Sequence, residues 1–312
     1  MNFNKSSFGI FLIYLLVVAG SLLFLLPFNA LGYVSPYGIT PTSNPLGTPI
    51  TMALVSPAAY ILGIVLIETA VLLLMIYLKL FDKIIPSIFF LILSYAYALF
   101  TFIVINYLWP YADATTAALA SLAIGVISTS ILYKFPKWYI IDIFGIIMCI
   151  EVVVDIGKTL SIVPLIILLI AIAIYDYIAV FKTKHMCTLA ETLVNLKLPT
   201  ALFIVPRKSG YSYEDSEPIN VSAPTERAAY MIGMGDIVFP LTLAFSACSF
   251  TTFGSVLFGL NIPAIFTIIG ILCGLVALMY FVNKGNVQPG LPLLNGGAII
   301  GLLIGLAIVG GV

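Results

Sequence analysis

Two aspartates lie inside long apolar runs of this sequence: Asp176 in AIAIYDYIAV and Asp236 in YMIGMGDIVFP. An ionised carboxylate in hydrocarbon costs about 2.5–3.5 kcal/mol on insertion scales, so a chain rarely keeps one there without a use for it. Two carboxylates that lie close together cannot easily both ionise, and they share a proton. One of them can then activate a water molecule while the other protonates a carbonyl oxygen, which is the acid–base chemistry of amide hydrolysis. The identity of the base stays open, because such a pair titrates as a unit.

The composition identifies the medium around these acids. Of the 312 residues, 62% are hydrophobic and 8% are charged, which is more apolar surface than a soluble core can hide. We therefore predict an all-α membrane protein whose main partner is the lipid bilayer. Thirteen basic residues balance thirteen acidic ones, so the charge indicates no nucleic-acid partner. A single histidine and four scattered cysteines predict neither a metal site nor a cofactor.

Nine apolar runs are long enough to cross a bilayer as helices, at a rise of about 1.5 Å per residue. The runs are residues 8–28, 58–78, 84–108, 114–133, 138–156, 161–181, 229–253, 262–282 and 291–311. The first lacks a small-residue cleavage pattern before the polar segment that follows, and we interpret it as a retained span rather than a signal peptide. The sequence thus predicts nine transmembrane helices.

The basic residues predict the orientation of these spans. With the N-terminus in the cytoplasm, all basic residues except Lys158 fall on the inner side, as the positive-inside rule requires. The C-terminus is then outside, and the protein is a multi-pass protein of the cell membrane. Residues 1–181 hold spans one to six, residues 182–228 form a cytoplasmic loop, and residues 229–312 hold spans seven to nine.

This topology places the two aspartates at one depth. Asp176 lies near the inner end of the sixth span and Asp236 near the inner start of the seventh, each about 8–11 Å below the inner surface. The two spans run antiparallel and are joined by a loop on that side. If they pack together, the carboxylates face each other.

Two glycine-containing segments accompany the acids. Gly233 and Gly235 precede Asp236, and we expect them to permit close approach by a neighbouring helix or an extended substrate. The segment QPGLP, with Pro289 and Gly290, predicts an irregular entrance to the last span. The alternative is a plain helix N-terminus with proline in its first turn, which is favoured on pattern alone.

The motifs YD, GMGD and QPGLP together resemble those of the GxGD intramembrane aspartyl proteases, which include presenilins, signal peptide peptidases and their archaeal homologues. Gly290 stands where alanine is usual in that family. The predicted orientation is presenilin-like, and the short chain without large soluble loops resembles an archaeal member. The resemblance extends over the whole predicted topology.

The resemblance implies a specific activity and a set of residues. The protein would be an aspartic endopeptidase, a hydrolase without a cofactor, acting on single-span membrane proteins or signal peptides. A homo-oligomer is compatible with this activity. Asp176 and Asp236 would be catalytic. The residues that would shape the site and contact the substrate are Tyr175, Gly233, Gly235, Pro289, Gly290 and Leu291.

A substrate helix hides its peptide bonds in its own hydrogen bonds, so it must unwind locally before it is cut. The extended segment then needs a backbone partner. ALFIV (201–205) and QPGLP (288–292) are the two segments that we expect to pair with it as strands.

Other acids in the spans keep a rival interpretation open. Glu68 lies at the middle of the second span and Glu151 deep in the fifth, and proton-coupled transporters use such buried acids near the midplane. A transporter or ion channel is therefore the alternative function. A purely structural membrane scaffold would leave the matched aspartates unexplained.

The two remaining acids of the fifth span have structural interpretations. Asp155 is three residues before Lys158, which favours an ion pair at the outer side. Asp142 lies near the inner end, where Lys134 or Lys137 is its expected partner.

Overall fold

The computed structural model describes residues 5–30, 63, 84–179, 181, 202–206, 229–250, 260–283 and 289–310. Within these ranges the chain forms eight helices and two short strands. In chain order they are α1 (Lys5–Ala30), α2 (Ile84–Leu108), α3 (Ala114–Lys134), α4 (Trp138–Thr159), α5 (Ile162–Ile178), β1 (Leu202–Pro206), β2 (Ala229–Gly233), α6 (Met234–Phe250), α7 (Ile262–Asn283) and α8 (Gly290–Gly310).

The helices follow the apolar runs closely. Eight of the nine runs coincide with a described helix, and the remaining run, 58–78, lies outside the described residues apart from Gly63. Five of the described helices, α1, α2, α3, α7 and α8, are long and apolar enough to cross a membrane, while α5 and α6 are apolar but shorter. The chain is therefore a multi-pass membrane protein with a helical fold.

The seventh run differs from its prediction. We predicted one span over residues 229–253, but Ala229–Gly233 is a strand and α6 begins only at Met234. The strand forms because its backbone groups pair with those of β1, and residues held extended in this way cannot belong to a helix. Consequently Asp236 lies in the first turn of α6, closer to the helix end than the sequence indicated.

The segment ALFIV is extended, as expected, from Leu202 onwards, and its pairing with a substrate stays a prediction. The strand β1 pairs antiparallel with β2 to form a two-stranded sheet. The opposed residues are Leu202 and Gly233, Phe203 and Ile232, Ile204 and Met231, Val205 and Tyr230, and Pro206 and Ala229.

One hydrogen bond shows which main-chain N–H and C=O groups of β1 point toward β2. The main-chain N–H of Ile204 donates to Oδ1 of Asp142 in α4 at 2.9 Å, so it points away from β2. N–H and C=O groups alternate in direction along a strand. Phe203 and Val205 are therefore the residues of β1 whose N–H and C=O groups face β2.

The chain divides into two compact units. The first comprises Met1–Tyr33, Ala70–Glu151 and Thr188–Met234. In this unit the ring of Phe203 packs where Gly145 of α4 has no side chain, and Val205 packs in the same way against Gly9 of α1. On the opposite face of β1, Ile204 belongs to a buried cluster that contains Leu93, Tyr97, Leu132 and Ile141. The strand β1 is thus held on both faces by helices of its own unit.

The second unit comprises Val34–Thr69, Val152–Cys187 and Gly235–Val312. Its helices α7 and α8 touch backbone to backbone. A Cβ added to Gly274 of α7 would lie 2.6 Å from the carbonyl oxygen of Leu293, and one added to Gly305 of α8 would lie 2.6 Å from Cα of Pro263. Only residues without a side chain permit this approach between membrane helices.

This packing predicts that Gly274→Val destabilises the protein. A branched side chain cannot occupy a space 2.6 Å from a backbone carbonyl, so the two helices must separate, at a cost of about 1–3 kcal/mol or more. Thermal unfolding of the purified protein in detergent measures the loss. The matched control is Gly310→Val, because an added Cβ at Gly310 meets no atom of the described residues within 4 Å. Equal melting temperatures for the two variants would contradict the prediction.

Candidate active site

Asp176 lies in the last turn of α5, two residues before the helix ends. The apolar side chains that precede it make this segment helical and bury it, and Asp176 itself is 4% exposed. Its Oδ2 accepts a hydrogen bond from the main-chain N–H of Leu291 at 3.3 Å. Leu291 is the second residue of α8, so this N–H has no partner within its own helix. Asp176 therefore caps the start of α8 from a different helix.

Asp236 is the third residue of α6 and is partly buried. Its carboxyl group lies against Gly290, the first residue of α8. A Cβ added to Gly290 would lie 2.9 Å from Cγ and from both carboxyl oxygens of Asp236. The missing side chain of Gly290 therefore makes the space in which this carboxyl group sits.

The start of α8 thus brings the two carboxyl groups together. They contact consecutive residues, Asp236 at Gly290 and Asp176 at Leu291. The two contact distances and the covalent bonds that lead from the added Cβ of Gly290 to the nitrogen of Leu291 add up to about 10 Å. The two carboxyl groups therefore lie at most that far apart. The positive end of the helix dipole of α8 lies at the same point and favours negative charge there. An extended peptide crossing this point could be reached by both acids.

Two predicted site residues flank this arrangement. Tyr175 precedes Asp176 in α5 and is half-buried, and Pro289 is buried directly before the first turn of α8. Both therefore adjoin the residues that hold the acids.

The two glycines before Asp236 lie in different elements. Gly233 is the last residue of β2 and pairs with Leu202. Gly235 has ordinary space around it within the described residues, where an added Cβ would meet the Phe239 ring of its own helix at 3.4 Å. A close approach is found at Gly290, and the role expected of Gly233 and Gly235 stays a prediction.

The entrance to the last span is also more regular than the prediction of an irregular segment. The helix α8 begins at Gly290 and carries Pro292 in its first turn, where the missing N–H of proline costs no helical hydrogen bond. Our expectation that QPGLP serves as a strand is wrong for its last three residues. They are helical, and the N–H of Leu291 is already bound to Asp176.

A cavity that the sequence did not reveal lies between α5 and α8. It has a volume of about 350 Å³, and its lining includes Ile170, Ile174, Tyr177, Pro292 and Ile299. Its one strongly polar lining group is the buried Asn295, whose Nδ2 donates to the carbonyl oxygen of Leu169 at 3.0 Å. The sequence did contain one signal for this cavity, the amide side chain of Asn295 within an apolar run. Such a side chain is costly in lipid unless it has a hydrogen-bond partner.

Asp142 has a partner other than the one predicted. Its carboxylate, 8% exposed, accepts the hydrogen bond from Ile204 described above. The ammonium groups of Lys134 and Lys137 lie over the rings of Phe135 and Tyr139, at 5.7 and 5.9 Å from the ring centroids. Leaving the buried N–H of Ile204 without an acceptor costs more free energy than leaving an exposed ammonium group without a carboxylate, because water solvates the ammonium group.

The structure describes two of the three remaining acids of the predicted spans. Glu68 lies outside the described residues. Glu151 and Asp155 are buried in α4, and the pairing of Asp155 with Lys158 stays a prediction.

Comparison with known proteins gives two kinds of similarity. Residues 11–311 match the family described as signal-peptide peptidase, presenilin aspartyl protease. The chain also resembles two solved structures, each of a presenilin family intramembrane aspartate protease. One, in space group C222, is 30% identical over 97% of this chain and 99% of its own, with a TM-score of 0.66. The other, in space group P2, is 28% identical over 99% and 98%, with a TM-score of 0.63. No curated protein matches the chain.

Proposed function

Because the chain belongs to the family of signal-peptide peptidases and presenilin aspartyl proteases, we propose that Asp176 and Asp236 are the catalytic pair with which it hydrolyses peptide bonds of transmembrane helical substrates. The family and the similar solved structures are intramembrane aspartate proteases, so the protein is an aspartic endopeptidase, a hydrolase. This membership replaces the transporter, channel and scaffold interpretations.

One observation carries the assignment of the pair. Two buried or partly buried carboxyl groups, sixty residues apart in sequence and on different helices, contact consecutive residues at the start of a third helix.

The proposed reaction follows from this geometry. One carboxylate removes a proton from a water molecule, and the water oxygen forms a bond to the carbonyl carbon of the substrate. The protonated partner donates to the carbonyl oxygen. The C–N bond then breaks and the leaving nitrogen takes up a proton, which gives one carboxylic acid and one amine. The hydrogen bond from Leu291 and the α8 dipole stabilise negative charge on the pair throughout.

Tyr175, Gly233, Gly235, Pro289, Gly290 and Leu291 complete the proposed site. Gly290 and Leu291 position the acids, and Pro289 directs the chain into α8 so that its first N–H groups face them. Gly233 ends β2 three residues before Asp236. A substrate segment that adds to the sheet as a strand would therefore pair close in sequence to a catalytic acid.

We propose that substrates approach through the membrane. The cavity between α5 and α8 is lined mainly by apolar side chains, and its lining includes the immediate neighbours of the site, Tyr177 and Pro292. An apolar helix of a single-span protein or a signal peptide matches this lining. We expect a substrate helix that is bound in this cavity to lie beside the catalytic acids, where it must unwind.

The proposed topology has nine spans, with a cytoplasmic N-terminus and an external C-terminus in the cell membrane. It divides the chain at residues 181/182 and 228/229 into two helical parts and a cytoplasmic loop. The bias of the basic residues and the match between apolar runs and helices support it. We also propose that the chain is an archaeal GxGD protease, on the resemblance of its motifs.

The direct test is cleavage of a single-span peptide by the purified full-length protein in detergent or liposomes. We expect two fragments whose masses sum to the substrate plus one water, and we expect a transition-state analogue of aspartic proteases to block their formation. Absence of fragments over a panel of single-span peptides, with folded protein, would overturn the proposed function.

The role of the sheet predicts that Phe203→Pro lowers cleavage at least tenfold. Proline removes a main-chain N–H that faces β2, so the two strands separate. Initial rates with the single-span peptide measure the loss. Phe203→Leu is the control, because it shortens the side chain but keeps the N–H. If both variants lose activity equally, the packing of the ring against Gly145 matters and the strand pairing does not.

A further inference from the structure

The turn between α3 and α4 presents aromatic and basic side chains on the surface of the protein. Its sequence from residue 134 to residue 139 is KFPKWY. All of these residues except the proline are exposed: Lys134, Phe135, Lys137, Trp138 and Tyr139. Aromatic side chains are stable in such exposed positions at the boundary between hydrocarbon and water, because the ring is apolar and its polar atom stays wet.

The length of α3 places this turn at a membrane surface. The helix has 21 residues, Ala114–Lys134, and is one of those that are long and apolar enough to cross a bilayer. At about 1.5 Å per residue it extends over about 31 Å, which matches a hydrocarbon core of about 30 Å. The turn before α3 and the turn after it therefore lie at opposite surfaces. In the proposed topology the turn after α3 lies at the cytoplasmic surface.

The turns at the two ends of α3 differ in charge. The turn before α3, residues 109–113, also exposes aromatic rings, since Trp109 is 69% and Tyr111 95% exposed. Its only charged residue is an acid, Asp113, whereas residues 134–139 include two lysines and no acid. Aromatic rings favour the lipid interface at both surfaces. Two ammonium groups at one surface add a preference for lipid of negative charge.

The two lysines of this turn have no carboxylate partner in the described part of the chain. Asp142, their expected partner, accepts a hydrogen bond from the N–H of Ile204 instead. Neither Lys134 nor Lys137 forms an ion pair with a described residue. Their ammonium groups lie over neighbouring aromatic rings, at 5.7 and 5.9 Å from the ring centroids. A ring face attracts the positive charge but leaves N–H donors of the ammonium group for the oxygens of an anion.

The core of the first unit holds the turn in place. Leu132 and Ile141, on either side of it, both belong to the buried cluster that contains Ile204. Across Pro136 the main-chain N–H of Lys137 donates to the carbonyl oxygen of the residue before the proline at 2.7 Å. The lysines and the aromatic rings are therefore presented by a backbone that is already ordered, which lowers the entropy cost of binding a ligand.

We propose that the turn of residues 134–139 is a binding site for the headgroup of an anionic phospholipid. Phosphate oxygens of the headgroup accept hydrogen bonds from the ammonium groups of Lys134 and Lys137, and the rings of Phe135, Trp138 and Tyr139 lie at the level of the headgroup. A zwitterionic phospholipid carries its own positive group, which offsets its phosphate, so it binds more weakly. The inference goes beyond the proposed function, because it concerns neither catalytic acid.

The two tryptophans of the chain make a specific test possible. In a Trp109→Phe variant of the full-length protein, the indole fluorescence comes from Trp138 alone. The variant is reconstituted in liposomes of phosphatidylcholine and phosphatidylglycerol, with the same composition in both leaflets. Either lipid in turn carries brominated acyl chains, which quench a tryptophan that they touch, and the two quenching curves give the ratio of the binding constants. We expect phosphatidylglycerol to be preferred at least fivefold, since one lysine near an anionic surface contributes roughly that factor.

Three variants serve as controls. In the Trp109→Phe background, Lys134→Gln with Lys137→Gln removes both charges and should bring the ratio to within about twofold of unity. Lys134→Arg with Lys137→Arg keeps the charges and should retain the preference. Trp138→Phe alone leaves Trp109 as the reporter, beside Asp113, and should show no preference for phosphatidylglycerol. High salt should weaken the preference at Trp138, because it screens exposed charges.

Three results would overturn the inference. They are equal quenching by the two lipids at Trp138, a preference that survives the double glutamine change, and a preference at Trp109 as large as that at Trp138. If the glutamine variant does not reconstitute, the salt series decides, and a preference that high salt leaves unchanged overturns the inference. None of these measurements uses cleavage, so a failure of the proposed function leaves this test intact.

Discussion

Asp176→Asn and Asp236→Asn are each expected to lower cleavage of a single-span peptide by about 10³-fold or more, since acid–base catalysis contributes roughly 10²–10⁴-fold and the pair acts as one unit. Asparagine cannot take up or release the proton. It keeps an acceptor oxygen, so the hydrogen bond from Leu291 and the start of α8 survive at position 176. Initial rates, together with thermal unfolding of each variant, measure the effect and separate it from misfolding.

The double variant sharpens this prediction. If the two acids share one proton, Asp176→Asn combined with Asp236→Asn should be no slower than either single change. Asp113→Asn is the control, because Asp113 is an acid outside the spans whose carboxylate accepts from Thr115, and it should retain wild-type rates. Retention of more than a tenth of the wild-type rate by either single variant would contradict the catalytic assignment.

Gly290→Val is expected to lower cleavage at least 100-fold while leaving most of the protein folded. An added Cβ would lie 2.9 Å from three atoms of the Asp236 carboxyl group, and the two further methyl groups of valine need the same space. The carboxyl group of Asp236 must therefore leave its position beside α8. A displacement of about 1 Å in a catalytic group can cost 10²-fold. The value of kcat, corrected for the folded fraction, measures this loss.

Gly290→Ala is expected to displace the carboxyl group of Asp236 by a smaller distance. Its single methyl group requires the carboxyl group to shift by a few tenths of an ångström, so the loss should be smaller than that of valine. Gly310→Val, at the last residue of the same helix, where an added Cβ meets no described atom within 4 Å, should leave kcat unchanged. If valine and alanine at position 290 had equal kcat, the position of Asp236 would not depend on Gly290.

The helices could be predicted closely from the sequence. In hydrocarbon every backbone group must be satisfied within the segment, so an apolar run of bilayer length has only the helix available. The run 84–108 accordingly coincides with α2. The strand β2 could not be found in this way, because AYMIG is as apolar as the helix that follows it. Its conformation depends on a partner segment about thirty residues earlier in the chain.

The candidate site was predictable in part, for a related reason. An acid in an apolar run is visible in any sequence, and the shared depth of Asp176 and Asp236 followed from the spans. The contacts of those acids were not visible. Gly290 looked like a departure from the alanine usual in the family, whereas the structure gives its missing side chain a use beside Asp236. Asp142 was assigned to a lysine because sequence spacing shows charged neighbours but does not show a buried strand N–H.

The direct backbone contact between α7 and α8 has a mechanical consequence. Side chains that interdigitate can change rotamer and absorb a small displacement, but at Gly274 and Gly305 there is no such cushion between the two main chains. The two helices must therefore move together when either of them is displaced. A displacement of α7 is therefore passed to α8 and to its first residue, Gly290, which lies against the carboxyl group of Asp236.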